Sequence, residues 1–404
     1  MLHLPAGDFG YTPFNYLLGP GYVRMSLLFD TLIWKDSQGY IPWLATEWKQ
    51  SADGKAWTFT LRPGVKWHDG TPLTVDDIVF TFDYFKKQPP TSPLLRGLEF
   101  VSGARKVDAQ HVEVALTQVY APFLVNIAGA LPIIPQHVWE KVADPTTFTA
   151  PEAAIGSGPY KLTSYDAASG AYGYDANNDF WLGKPFVQRI EMVPTGDDLL
   201  ALKQGTLDAA DVSAPSGVTD DVLAQFQAPD YGVLNQLLEF SPVIHFNLAK
   251  GAPYTDVNFR RAWAYAIDRD ELVQRVLQGK GKPGNPGWLG PASSWYNPAV
   301  EQYKFDPAKA KALLDSAGYK DRNGDGMREL PNGKPLDVHI LGGGGPFARV
   351  TELIVAQLKS VGIKASFTSP GDPNALIEQF ARGNYDVGLL FYELGGDPDY
   401  MRQV

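Results

Sequence analysis

Cysteine is absent from the 404 residues. That removes disulfides, thiolate metal centres and cysteine nucleophiles in one step. No apolar run approaches the ~20 residues that a membrane-spanning helix needs. Charge is also unclustered. Lys and Arg number 35 against 45 Asp and Glu, a net charge of −10 without a long run of either sign. A nucleic-acid partner needs a basic face, so none is expected. The opening residues "MLHLPAGDFGYTP" lack a basic stretch followed by an apolar core, so no export signal is expected in this chain. The six histidines, His3, His68, His111, His137, His245 and His339, are scattered. None pair at i,i+4 and there is no His-Glu-x-x-His, so a preformed zinc site is not expected. A Gly-x-Ser-x-Gly elbow is missing as well.

What is present fits an ordinary soluble balance: 44% hydrophobic and 20% charged residues. The length is too great for a single core, so two or three domains are expected. Aromatic residues reach 12%. Much of that serves a core, but aromatic side chains also line ligand clefts.

The stretch "LRPGVKWHDGTPLTVDDIVFTFDYF", 61–85, looks the most chemical. His68-Asp69 resembles a base and its orienter, yet no nucleophile or metal motif accompanies it. The pattern predicts something plainer. Residues 57–61 alternate as a half-buried strand, and 65–67 read as a short second strand. His68-Asp69-Gly70 then reads as an exposed turn. Thr74 caps a helix, with Asp77 three residues on in a capping-box pattern. Val75, Ile78, Val79, Phe82 and Phe85 share one helical face. Asp76 and Asp77 fall in the first turn, where carboxylates offset the macrodipole.

Further on, 105–118 read as a hairpin, "GSGPY" (156–160) as a turn before a strand at 161–165, and 199–212 as helix, Gly205, strand. Phe259, Ala262, Trp263, Ala266 and Ile267 form a helical stripe, and Asp268 with Glu271 starts a following helix. Asp306-Pro307 opens another helix, with Pro at its first position and Gly318 just past its end. From 337 the chain alternates: strand 337–341, helix 347–361, strand 363–367, helix 373–381, strand 386–391. Such a doubly wound α/β unit binds ligands beyond its C-terminal strand ends. Here those ends are "GGGGP" (342–346) and "YELGGD" (392–397).

Two further segments carry alternatives. Asp321, Asn323, Asp325 and Glu329 in "DRNGDGMRE" place oxygens and Gly326 as a calcium loop does. Asn332, however, stands where the bidentate glutamate would be, and a calcium-free hydrophilic turn is the other reading. The glycines at 342–345 lack both the Lys-Ser/Thr of a P-loop and the spacing of a dinucleotide fold. They read either as a strand-to-helix turn or as backbone that approaches a ligand.

Taken together with its flanks, "LATEWKQSADGKAWTFTLRPGVKWHDGTPLTVDDIVFTFD" (44–83) resembles the signature region of the family 5 solute-binding proteins of ABC importers, which bind dipeptides, oligopeptides, nickel or oligosaccharides. The blocks "IGSGPYKLTSY" (155–165), "NDFWLGKP" (178–185), "LALKQGTLDAADV" (200–212), "VNFRRAWAYAIDRDELVQRVLQGKG" (257–281), "FDPAKAKALLDSAGY" (305–319) and "YDVGLLFYELGGDPD" (385–399) recur in order. The resemblance therefore covers nearly the whole chain, through several blocks at proper spacing. It implies an α/β, two-lobed periplasmic-binding-protein-like fold (type II, cluster C), with a cleft between lobes that closes by hinge motion. Lobe I would comprise 1–40 and 151–245 with an inserted subdomain at 41–150, and lobe II 246–404. The strand "VIHFNLA" (243–249) matches the hinge position. His-Asp-Gly would be structural.

The resemblance further implies a binding protein and not an enzyme. It would capture a peptide or peptide-like solute and deliver it to the transmembrane subunits of an ABC permease. It would be periplasmic or extracellular, a monomer without a cofactor, and membrane-anchored in its full-length form. Family members are usually longer and end in a segment returning to lobe I, so this chain reads as a trimmed or incomplete form. In the peptide binders an Asp before the Gly-Asp-Pro element meets the ligand ammonium, and here that position is Leu394. An oligosaccharide is therefore the alternative ligand, nickel chelate a third, and a two-carboxylate glycosidase the competing class. The residues expected to line the cleft are Tyr22, Arg24, Trp288, Trp295, Tyr296, Gly343, Gly344, Tyr392, Glu393 and Asp397. Arg24 would meet a ligand carboxylate or form a surface ion pair. The tryptophans would stack on a sugar or pack a loop.

Overall fold

A computed structural model describes residues 1–7, 10–15, 20–36, 39–89, 97–210, 220–234, 240–284, 286–287, 289–290, 295–342, 348–370 and 373–393. The side chains at 20–23, 240, 373–374, 377 and 391–393 are outside that description. The chain forms two compact units, Met1–Asp211 and Val212–Val404. The division falls before the expected boundary at 245–246.

In the first unit β1 (Leu2–Pro5) is followed by α1 (Pro20–Leu28) and a hairpin of β2 (Ile33–Asp36) and β3 (Gly39–Pro42). A four-stranded antiparallel sheet then forms in the order β4 (Ala45–Gln50), β5 (Ala56–Leu61), β7 (His111–Leu116), β6 (Val101–Lys106). Along β7 the pattern is strict: Val112, Val114 and Leu116 are buried between more exposed neighbours. Helix α2 (Val75–Lys87) covers this sheet with Val75, Ile78, Phe82 and Phe85, each fully buried. Residues 65–67 form no second strand, only a bridge between Lys66 and Pro72.

The expected cap of α2 is present and does more than close a helix. Asp77 is buried and accepts from the Thr74 backbone (2.8 Å) and hydroxyl (3.1 Å). Its other oxygen accepts from the backbone of Gln136 (3.0 Å), at the start of α3 (Gln136–Trp139). One carboxylate thus serves two helix N-termini. Asp76 is exposed and meets Lys106.

The second sheet of this unit has the order β1, β10 (Arg189–Val193), β9 (Ala171–Ala176), β8 (Tyr160–Asp166), with β1 parallel to β10. Helix α4 (Asp198–Lys203) is capped by Asp197. The strand expected after Gly205 is absent from 206–210. Asp208 instead docks on β1, taking the His3 backbone N–H (2.6 Å) and returning its own to the His3 carbonyl (2.9 Å).

In the second unit α5 (Asp220–Leu223) precedes a mixed sheet. Its order is β11 (Phe240–Phe246), β14 (Val387–Glu393), β12 (Asp337–Gly342), β13 (Lys364–Thr368). The last three strands run parallel and β11 runs antiparallel to β14 along its whole length. The segment matched to a hinge strand is therefore part of this unit's sheet. Helices α6 (Val257–Ala266), α7 (Arg269–Leu277), α8 (Pro307–Ser316) and α9 (Ala348–Ser360) come from the expected stripes, and α10 (Pro373–Ala381) follows β13. Asp256, Asp268 and Asp306 each cap a helix through the side chain. Val338, Ile340, Val387 and Leu389 share a core with Phe259, Trp263, Ile354 and Leu358. Gly388 points the other way, where Phe380 of α10 lies so close that a Cβ would stand 2.6 Å from its ring.

Candidate functional site

Strand order marks a candidate site in the second unit. Through α9 the chain passes from β12 to β13 on one side. Through α10 it returns past β12 to β14 on the other. The order reverses between β12 and β14, and ligands of open α/β sheets collect beyond the carboxyl ends at such a point. Those ends are Gly342, which pairs with Leu389, and the Tyr392–Glu393 end of β14, whose backbone pairs with Phe240 and Ser241.

Helix α9 crowds this edge. A Cβ on Gly342 would stand 2.5 Å from the Thr351 hydroxyl, so only glycine lets the helix approach. Thr351 is fully buried, and its hydroxyl has no hydrogen-bond partner among the described residues. A buried hydroxyl left unpaired costs about 1–3 kcal/mol. An unmet polar atom at a switch point, near the positive end of a 13-residue helix, suits a polar acceptor on a ligand. Sequence reading missed Thr351. Its signal was a hydroxyl in the first turns after a glycine-rich strand end.

Of the expected cleft residues, Gly343, Gly344, Asp397 and Trp288 lie outside the described residues, as does Leu394. Tyr22 lies in α1, and Tyr392 and Glu393 lie on β14, with backbone placement alone described. Trp295 is 59% exposed, so it is not packed away as a core residue. Tyr296 follows it and gives its hydroxyl to Gln302 (3.3 Å). The loop behind them is pinned from α7. Arg269 donates to the carbonyls of Gln302 (2.8 Å) and Tyr303. Tyr265 of α6 donates to Glu301. Trp295 thus stands at the start of a segment that is held from below.

Arg24 corrects an expectation. It is 3% exposed, not a surface cation. Its guanidinium donates to the Met192 sulfur (2.9 Å) and the Gly7 carbonyl, and lies 4.5 Å over the Tyr172 ring.

The His68-Asp69 turn is also resolved, with another correction. His68 is turned inward. Its Nδ1 accepts from the Gly156 backbone (3.2 Å) and its Nε2 meets the Gly158 carbonyl (3.0 Å). Burial pushes the imidazole down to about 4, which the Gly158 bond opposes. Neutral near pH 7, His68 locks the "GSGPY" turn. Those glycines allow it, because a Cβ on Gly156 would stand 1.9 Å from the Leu28 carbonyl oxygen. Asp69 faces outward, accepting from Thr71 (2.7 Å) and meeting His137 (2.8 Å). Among the described residues no nucleophile is hydrogen-bonded to the His68 ring.

In the 321–329 loop Asp321 accepts from the backbones of Gly324 (2.7 Å) and Gly326 (2.9 Å), and Asp325 from Met327 (2.7 Å). Asn323 accepts from Asp325 (2.9 Å). Glu329 is buried and accepts from the Arg322 backbone (2.8 Å). The four side chains close the turn on itself. Among the described residues no group of three or more His, Asp or Glu gathers as a metal centre would require.

Known proteins share this architecture. The model of bacterial extracellular solute-binding proteins, family 5, matches residues 39–402. The dipeptide-binding protein of Escherichia coli is 30% identical over 81% of this chain and 63% of its own length. The nickel-binding periplasmic protein of Escherichia coli is 28% identical over 92% of this chain and 71% of its own. This chain thus spans about two thirds of those relatives. The mannohexaose-bound periplasmic oligopeptide-binding protein of Thermotoga maritima superposes with a TM-score of 0.76 at 26% identity, covering 100% of this chain and 78% of the other.

Proposed function

Because the chain belongs to the family 5 bacterial extracellular solute-binding proteins, a family of binding proteins and not enzymes, we propose that it captures a peptide or peptide-like solute and hands it to the membrane subunits of an ABC permease. The observation that carries this reading is the β12–β14 switch point, with the unpartnered Thr351 hydroxyl beneath Gly342. Among the described residues that edge presents backbone ends and one hydroxyl. Such a surface suits a ligand that presents carbonyl and amide groups at regular spacing.

An oligosaccharide is the second reading. It rests on the exposure of Trp295 ahead of a pinned loop, and on the mannohexaose bound by the Thermotoga maritima relative. Under either reading the protein works outside the cytoplasm, as a membrane-anchored monomer that needs no cofactor.

A thermal-shift screen separates the readings. It would use di- to pentapeptides, cello- and manno-oligosaccharides, and nickel with and without histidine. A ligand that binds only the folded state raises the melting temperature with its concentration. A saturable rise with peptides is expected. A rise with sugars alone would replace the peptide by an oligosaccharide. A rise with nickel–histidine alone would overturn both.

A further inference from the structure

In the first unit Asp30 is 3% exposed and lies just before β2. Three segments converge on its carboxylate. The Trp43 indole donates to Oδ1 (2.7 Å). The Trp181 indole (3.1 Å) and the Ser157 hydroxyl (2.8 Å) donate to Oδ2. No cation pairs with it among the described residues. Arg62 is the charge that faces the cluster, and it acts on the tryptophans. Its guanidinium lies 4.4 Å over the Trp181 ring and its Nε–H donates to the Trp43 carbonyl (2.9 Å). The two indole rings meet edge to face at 4.9 Å.

We propose that Asp30 is a proton-operated clamp, which as a carboxylate accepts from Trp43, Trp181 and Ser157 and as a neutral acid donates to Ser157 instead, reversing that one bond. The reason is donor chemistry. An indole N–H can only donate, so neither tryptophan can receive the proton of a neutral Asp30. A hydroxyl can turn from donor to acceptor, so Ser157 is the group that turns to take the proton. Ser157 sits between Gly156 and Gly158, the two residues gripped by His68. The proton on Asp30 is thereby coupled to that turn.

Burial raises the Asp30 carboxyl above its ordinary value, against the lowering by its three hydrogen bonds. The other titratable groups around the clamp are quiet in that range. His68 is already neutral above about 4. Lys161 donates to the His68 carbonyl (2.7 Å), and Arg62 lies over the Trp181 ring. Asp69 faces outward and is held below the usual range by Thr71 and His137.

The test is a pH titration of the whole chain by NMR. It follows the Asp30 side-chain carboxyl carbon and the two indole N–H signals in wild type and in Asp30→Asn. The expected result is one shared midpoint, above that of an ordinary aspartate, for all three wild-type signals. The Ser157 amide signal should move with the same midpoint, and the indole titration should vanish in Asp30→Asn. If the variant fails to fold, the wild-type carboxyl carbon decides alone. A midpoint no higher than an ordinary aspartate's for that carbon, or indole signals that stay flat while it titrates, would overturn the clamp.

Discussion

The turn at His68 and the strand end at Gly342 show opposite relations between residue type and role. His68 carries reactive chemistry, and the fold consumes all of it: both ring nitrogens are used by backbone of 156–158. Gly342 carries no side chain, yet its emptiness brings a helix against a strand end and leaves a hydroxyl unmet. The first is a structural tie that looks like a site, and the second is a candidate site that looks like a turn. A polar group advertises function when its hydrogen-bonding capacity is left over, whatever its type.

That contrast can be tested in order of effect. The largest change should come from Gly156→Ala, whose Cβ would overlap the Leu28 carbonyl. Backbone cannot step aside, so a loss of at least about 3 kcal/mol is expected in a urea melt. Near-normal stability would show that the turn is not rigid.

Next is the pH dependence of His68. Its folded value lies below the unfolded one. A base so depressed contributes stability that is full above about 6.5 and is lost as pH falls towards 4. The contribution is about 3 kcal/mol. Melts of wild type and His68→Gln between pH 7 and 4 should converge at the acid end. Parallel curves would deny the imidazole its structural role.

Asp77→Ala should cost about 2 kcal/mol, since two helix starts lose an acceptor. Asp76→Ala should cost under about 0.5 kcal/mol, because its ion pair is exposed. Equal losses in denaturant melts would mean that the carboxylates act through the helix dipole alone.

Two substitutions probe the second unit by calorimetry with the ligand found in the screen. Trp295→Ala should weaken binding at least about tenfold while the melting temperature of the free protein holds. Unchanged affinity would remove Trp295 from the site. Thr351→Val keeps the shape and deletes the hydroxyl. It should weaken binding by about fivefold and leave the free protein as stable or more so. A loss of stability with unchanged binding would mean that the hydroxyl serves the core.

Much of the fold was legible because its signals are local. Asp268 and Asp306 cap helices where the pattern put them, and β12, α9, β13, α10 and β14 lie within two residues of the expected bounds. The failures are long-range. Nothing near His68 announces that residues 156–158 will cover it. Nothing near Arg24 announces Tyr172 and Met192. The pairing of β1 with β10, and of Asp208 with His3, was likewise invisible to periodicity. The site was half legible. Strand ends can be read from alternation, but Thr351 becomes conspicuous only when its missing partner can be checked.

The position of β14 has a consequence for how the second unit assembles. This strand lies between β11 and β12 and hydrogen-bonds to both, yet it is the last of the four to be synthesised. Until it arrives, β11 and β12 are open edges with no neighbour on that side, and open edges invite pairing with other chains. Its contacts with β11 close a loop of about 140 residues, and such closures make folding slow. The keystone enters last, so this half of the molecule stays vulnerable to misassembly longest during its synthesis.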